Sequence, residues 1–134
     1  MIFSGPIPPA SLGAAIASAR IHLSGELAVL QRELRELCCY FSDSCRLRSV
    51  PLRGAAEVPI KFIPIGVASK TLQAASELLA RGFFVNLCGF PAVSQNECGI
   101  RITLTRHLRR NDVDQLVTHL VELLSDTQRP ARAA

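Results

Sequence analysis

The chain has 134 residues, of which 49% are hydrophobic and 19% are charged. These are values of a folded globular domain and argue against a disordered chain. The net charge of +4 is modest, the basic residues are scattered and aromatic residues are few, so nucleic-acid binding is not expected. No apolar run is long enough to span a bilayer, and the first residues lack the charged start of a signal peptide.

The five cysteines are odd in number. Without a secretory signal we expect them to be reduced thiols in a cytoplasmic protein. Their spacing from one another and from the three histidines matches no metal site, so no metal is predicted. We expect them to behave as small buried or half-buried groups. They are Cys38, Cys39, Cys45, Cys88 and Cys98.

The first nine residues, 1–9, form a proline-rich extended segment. Proline fixes the backbone and disfavours helix, so this segment is predicted to be stiff and extended. Phe3 and Ile7 would be exposed apolar groups unless another domain or subunit covered them. We therefore predict an interface arm.

A long helix is predicted over residues 10–42. Its first half is nearly all small residues, and Gly25 is a point at which the helix can kink or restart. Its second half carries an apolar stripe at steps of three or four residues. We interpret the helix as a connector, because a helix of this length usually packs against something beyond a domain of this size. The stripe consists of Leu27, Leu30, Leu34 and Leu37.

Residues 43–128 are predicted to form an α+β domain, with a disordered tail over residues 129–134. A short strand is predicted to start at Leu47 and Val50, and a clear strand runs from Val58 to Ile65. The following helix, residues 70–81, is predicted to have Ser69 as its N-cap and Gly82 as its stop.

Two further strands are predicted between Phe83 and Thr105, close together in space, followed by a helix from Asn111 to Ser125 with Asn111 as its cap. The apolar stripe of this helix consists of Val113, Leu116, Val117, Leu120 and Leu124. His119 falls on the flank of this helix and is predicted to be a rim residue. The predicted fold is thus a small, mainly antiparallel sheet with helices on one face, preceded by the connector helix.

Arg101 is the candidate binding residue. In its strand, Ile100 and Ile102 point to one face, and Arg101 and Thr103 point to the other. A guanidinium held on a rigid strand suits bidentate binding of a carboxylate or a phosphate. The alternative is a solvated arginine paired with a surface acid.

The sequence contains no recognisable reaction centre. It has no glycine-rich phosphate loop, no Ser/His/Asp set, no paired carboxylates and no metal motif. Its two lysines, Lys61 and Lys70, lie on a strand and in the first turn of a helix. Neither position is expected to lower the lysine pKa, so neither is predicted to be a Schiff-base nucleophile.

Three blocks of the sequence resemble one family in the same order. They are residues 2–9, residues 58–66 and residues 84–104, the last ending in Ile100-Arg101-Ile102-Thr103-Leu104. The chain resembles the C-terminal part of the α-oxoamine synthases, fold-type I pyridoxal-phosphate enzymes that condense an amino acid with an acyl-CoA. The resemblance covers nearly the whole chain. Gly99 departs from it, because it stands where the family has the first arginine of its "R-I-R" run.

The resemblance implies roles for two residues. Arg101 would bind the carboxylate of the amino-acid substrate, and Ser4 would reach across a homodimer interface to the phosphate of the pyridoxal phosphate. The catalytic lysine would lie in a larger upstream domain that this chain lacks, so the chain alone is predicted to be inactive. The alternative is a stand-alone α+β module that binds a small molecule or a partner without catalysis.

Overall fold

The computed structural model describes residues 5–127 of the chain. Within them the chain forms four helices and three strands. It divides into two compact units, Met1–Glu33 and Leu34–Ala134. Among the described helices, none combines the length and the apolar character needed to cross a bilayer. The elements are α1 Pro9–Leu23, α2 Glu26–Leu47, β1 Ile60–Gly66, α3 Ala68–Ala80, β2 Asn86–Cys88, β3 Cys98–Thr103 and α4 Arg110–Thr127.

In the first unit, α1 starts at Pro9, where proline is well tolerated, and has no buried residue. Ser24 ends this helix in an extended conformation, and its hydroxyl donates to the Ile21 carbonyl and accepts from the Glu26 N–H. The predicted long helix is therefore two helices, separated at the expected restart next to Gly25. The second helix ends at Leu47 rather than at residue 42.

The sheet of the second unit confirms the predicted antiparallel arrangement. Its strand order is β1-β3-β2, and both neighbours pair antiparallel to the central strand β3. The predicted strand at Leu47 and Val50 is wrong, because Leu47 is the last residue of α2. The chain instead reaches the sheet edge at Arg53, which exchanges two backbone hydrogen bonds with Phe62 of β1.

One face of the sheet carries the core, as predicted. Buried side chains of β1 and β3 pack against those of α2, α3 and α4. The α4 stripe drives this packing, because four of its predicted members are buried. The largest apolar side chains that are fully buried in the core are Phe41, Ile63, Leu78, Ile100, Leu104 and Leu120.

The helix ends differ in detail from the prediction. Ser69 lies inside α3, whose N-cap is Val67, so it is not the cap. Asn111 lies inside α4. Instead, the Asp112 carboxylate accepts the N–H of Arg109 at 2.7 Å, which fixes the start of α4 from within its first turn.

Gly82 is the confirmed stop of α3. Its φ of +88° is a conformation that favours glycine, and the next N–H, that of Phe83, donates to the Leu78 carbonyl. His119 is half-buried on the rim, as predicted, where the Arg81 guanidinium donates to its Nδ1 at 2.9 Å.

Candidate functional site

Arg101 lies at the middle of the sheet on the central strand β3. Ile100 and Ile102 on either side of it are buried in the core, whereas Arg101 and Thr103 are exposed on the opposite face. The alternation predicted for this strand is therefore confirmed. We call the face that carries Arg101 the open face.

The strand register places two more side chains beside Arg101. Phe62 of β1 and Asn86 of β2 are its directly opposed partners. Opposed residues of an antiparallel pair project to the same face with Cβ atoms about 4.5–5.5 Å apart. The open face thus has an aromatic residue on one side of Arg101 and an amide on the other. Arg53 continues this row beyond Phe62 through its bridge.

The two arginines of this row differ in whether an acidic side chain is paired with their charge. The Arg53 guanidinium lies 3.1 Å from the Glu97 carboxylate. Its hydrogen bond to Glu97 lowers the pKa of that carboxyl group, which keeps the pair ionised. The structure gives the Arg101 guanidinium no hydrogen bond or ion pair within residues 5–127. Arg101 is therefore the cation of this row that is available to an anion.

Gly99 leaves the space beside Arg101 to the Phe62 ring. A Cβ atom added to Gly99 would lie 2.6 Å from Cζ of Phe62 and 2.3 Å from the carbonyl oxygen of Ile63. Real Cβ atoms do not approach other atoms so closely, so the ring and the backbone occupy the volume of a side chain at position 99.

On the core face, Lys61 forms a polar site that the sequence analysis missed. Its side chain is 0% exposed. Its ammonium donates to the Ser42 hydroxyl at 2.8 Å and to the carbonyl oxygens of Ala55 and Ala56 at 2.8 and 2.7 Å. Burial lowers the pKa of Lys61 from its ordinary value, so the prediction that its surroundings leave its pKa unchanged is wrong. The sequence signal for this burial is the alternation of β1, which places Lys61 on the same side of the strand as Ile63.

The cysteines are free thiols, and Cys38, Cys45 and Cys98 are buried. Within the described residues, no cluster of His, Cys, Asp or Glu could hold a metal ion. Burial raises the pKa of the Cys38 thiol and raises that of Cys45 to about 11. Both thiols are therefore core groups kept neutral by their surroundings.

The raised Cys45 pKa predicts a loss of stability in alkali. The unfolded thiol ionises from about pH 9 while the folded one stays protonated to about pH 11, so the folded state binds more protons in this window. The resulting stabilisation is present below pH 9 and falls by about 2 kcal/mol by pH 11. Urea unfolding at both pH values should show a smaller loss in Cys45→Ala than in the wild type. Cys88→Ala, at a half-buried cysteine, is the matched control, and equal losses in both variants would contradict the assignment.

Ser4, the predicted contact to a cofactor phosphate, lies outside the described residues, as do Phe3 of the arm and the predicted tail. Ile7, the other apolar residue of the arm, is 66% exposed. The structure thus places Arg101 on the open face, and the roles of both Arg101 and Ser4 stay predictions.

The fold matches solved structures of pyridoxal-phosphate enzymes of fold type I. Serine palmitoyltransferase from S. paucimobilis with a bound PLP–myriocin aldimine matches with a TM-score of 0.80 and 15% identity over 93% of this chain and 31% of that one. The 8-amino-7-oxononanoate synthase of Francisella tularensis matches with a TM-score of 0.77 and 15% identity, over 92% of this chain and 35% of that one. At such identities these matches define the fold.

Sequence comparison finds relatives among the same kinds of enzyme. The chain is 30% identical over 128 residues to the 8-amino-7-oxononanoate synthase of Maricaulis maris. This match covers 96% of this chain and 31% of the relative. It is 27% identical over 122 residues to the mitochondrial 2-amino-3-ketobutyrate coenzyme A ligase of Bos taurus, covering 91% of this chain and 28% of the relative. No family model matches the chain. The chain is a homologue of the α-oxoamine synthases, and it spans about a third of the length of these relatives.

Proposed function

We propose that this chain is the substrate-binding, dimer-contributing small domain of a cytoplasmic pyridoxal-phosphate-dependent acyltransferase that condenses an amino acid with an acyl-CoA. In this proposal Arg101 binds the carboxylate of the amino acid. The observation that carries it is the exposed guanidinium at the centre of the sheet, without an ion-pair partner in the described residues. The domain boundaries, residues 43–128 after a connector helix, belong to the same proposal.

The position of Arg101 suits a substrate anchor. β3 is hydrogen-bonded on both sides, so the backbone that carries the guanidinium cannot shift without disrupting the sheet. A planar guanidinium can donate two parallel hydrogen bonds to one carboxylate, which fixes orientation as well as position. In a condensation at the α-carbon, holding the carboxylate orients the bond that must break.

In this proposal neither Lys61 nor Lys70 is the lysine that such a cofactor needs. Pyridoxal phosphate acts as an electron sink once its aldehyde has reacted with an amine. The Lys61 amine is buried, and its three hydrogen bonds are directed at oxygen atoms of its own fold. We therefore propose that the catalytic lysine comes from outside the described residues, that this chain alone is inactive, and that Ser4 contributes to the cofactor phosphate site across a homodimer interface.

A carboxylate titration of the full chain tests the role of Arg101. Sodium acetate is expected to shift the amide resonances of β3 and its neighbours in NMR spectra of the wild type, with chloride at equal ionic strength as the reference. Arg101→Gln should weaken acetate binding about tenfold or more, because charge-assisted hydrogen bonds are lost. Arg53→Gln is the matched control, since the Arg53 charge is already paired with Glu97. Equal affinity in the wild type and Arg101→Gln would overturn the assignment.

A further inference from the structure

We infer that Phe62 is a specificity-determining residue beside Arg101, and that the site selects carboxylates that carry an apolar substituent lying along β1. This inference rests on the proposed role of Arg101 as the carboxylate anchor, and it adds the substrate class. It depends on three features of the open face: an apolar stripe on one side of Arg101, a polar edge on the other, and a ring whose position is fixed by Gly99.

The apolar stripe follows β1. Ile60, Phe62 and Pro64 alternate with the core residues of this strand and so share the face of Arg101. Ile60 is 53% exposed, and Phe62 and Pro64 are half-buried. Because Phe62 is directly opposite Arg101, an anion bound to the guanidinium has apolar surface next to it on this side.

The residue opposite Arg101 on its other side is polar, and it belongs to a short strand. Asn86 of β2 is its opposed partner there, and β2 has only three residues. Its amide can donate a hydrogen bond to a carboxylate oxygen but offers little apolar area. A ligand with a carboxylate and an apolar group therefore has one favourable orientation, with the carboxylate between Arg101 and Asn86 and the apolar group over Phe62.

Because position 99 is a glycine, the Phe62 ring can lie against the backbone of β3, in place before a ligand binds. The ring fills the volume that a side chain at position 99 would take, so it packs against the backbone of the central strand. A ring that is already positioned loses little conformational freedom when a ligand contacts it. The Arg53–Glu97 pair beyond the ring adds no uncompensated charge to this side, which favours a neutral apolar substituent over a second anionic group.

Paired titrations of the full chain test the inference. Acetate and hexanoate carry the same charge and differ in their apolar part. The wild type is expected to bind hexanoate about fivefold more tightly than acetate, because part of the chain is removed from water on Phe62. Phe62→Gln should remove most of this preference, and the readout is the ratio of hexanoate affinity to acetate affinity in each variant. Phe62→Ala provides the same test with the ring deleted, and Phe62→Leu should retain part of the preference.

The outcomes separate this inference from the proposed function. Loss of both ligands in Arg101→Gln, together with loss of only the hexanoate preference in Phe62→Gln, supports both. If Arg101→Gln loses acetate but the hexanoate-to-acetate ratio is the same in the wild type and all Phe62 variants, the specificity role is overturned and the anchor stands. If Arg101→Gln binds both ligands as the wild type does, the anchor fails and the inference fails with it.

Discussion

Gly99→Ala is expected to destabilise the second unit by about 3 kcal/mol or more, which is the range of severe overpacking. The new methyl group would lie 2.3 Å from the Ile63 carbonyl oxygen and 2.6 Å from the Phe62 ring. The ring can move aside, but the carbonyl belongs to the neighbouring strand, so relief requires β1 and β3 to separate. Urea unfolding followed by circular dichroism measures the loss.

Gly89→Ala is the matched control, because a Cβ there meets only the Cys98 sulfur at an ordinary 3.6 Å. It should leave the unfolding midpoint nearly unchanged. Combining Gly99→Ala with Phe62→Ala should restore only part of the stability, since the contact with the Ile63 carbonyl remains. Wild-type stability in Gly99→Ala would contradict the close packing of β1 on β3 at this point.

Lys61→Ala is expected to cost about 3–5 kcal/mol of the free energy of unfolding. The substitution leaves a cavity where a fully buried side chain lay, and it removes the donor shared by Ser42, Ala55 and Ala56. The hydrogen bonds to Ala55 and Ala56 hold the loop after α2 against the first strand of the sheet. Losing them should also increase protease cleavage within this loop. Urea unfolding at pH 7 and limited proteolysis measure the two effects.

Lys61→Met separates the two contributions, since it keeps most of the volume and removes the ammonium. It should cost less than Lys61→Ala, about 1–3 kcal/mol for the oxygens left without a donor. Lys70→Met, at an exposed position on α3, should have little effect. If Lys61→Met is as stable as the wild type, the three hydrogen bonds only offset the cost of burying the charge.

The sequence predicts those features that depend on periodicity. Alternation along β3 correctly separates Arg101 from Ile100 and Ile102, because one face of the strand must pack on helices and the other need not. The apolar stripe of α4 likewise identifies its buried side, including Val117 and Leu120. Such patterns result from burial itself, so they can be read before the structure is known.

Features set by tertiary contacts were not predictable in this way. Lys61 has a charge that usually marks an exposed position, and its burial is made tolerable by hydrogen bonds to the Ser42 hydroxyl and to the carbonyl groups of Ala55 and Ala56. The caps predicted at Ser69 and Asn111 are wrong: α3 begins after Val67 with no side-chain cap, and at α4 the Asp112 carboxylate acts from inside the first turn. The contact of Phe62 with Gly99 depends on strand register, which neither segment encodes alone.

The strand order also determines when the open face can be assembled during synthesis. Within residues 5–127, the neighbouring strand of both β1 and β2 is β3, which follows both of them in the chain. As the polypeptide emerges from its N-terminus, the two outer strands have no strand partner until the central one has been made, and β1 has only its bridge to Arg53. Arg101 is therefore positioned by the same step that completes the sheet, and a chain stalled before that step would have unpaired strand edges and no guanidinium between Phe62 and Asn86.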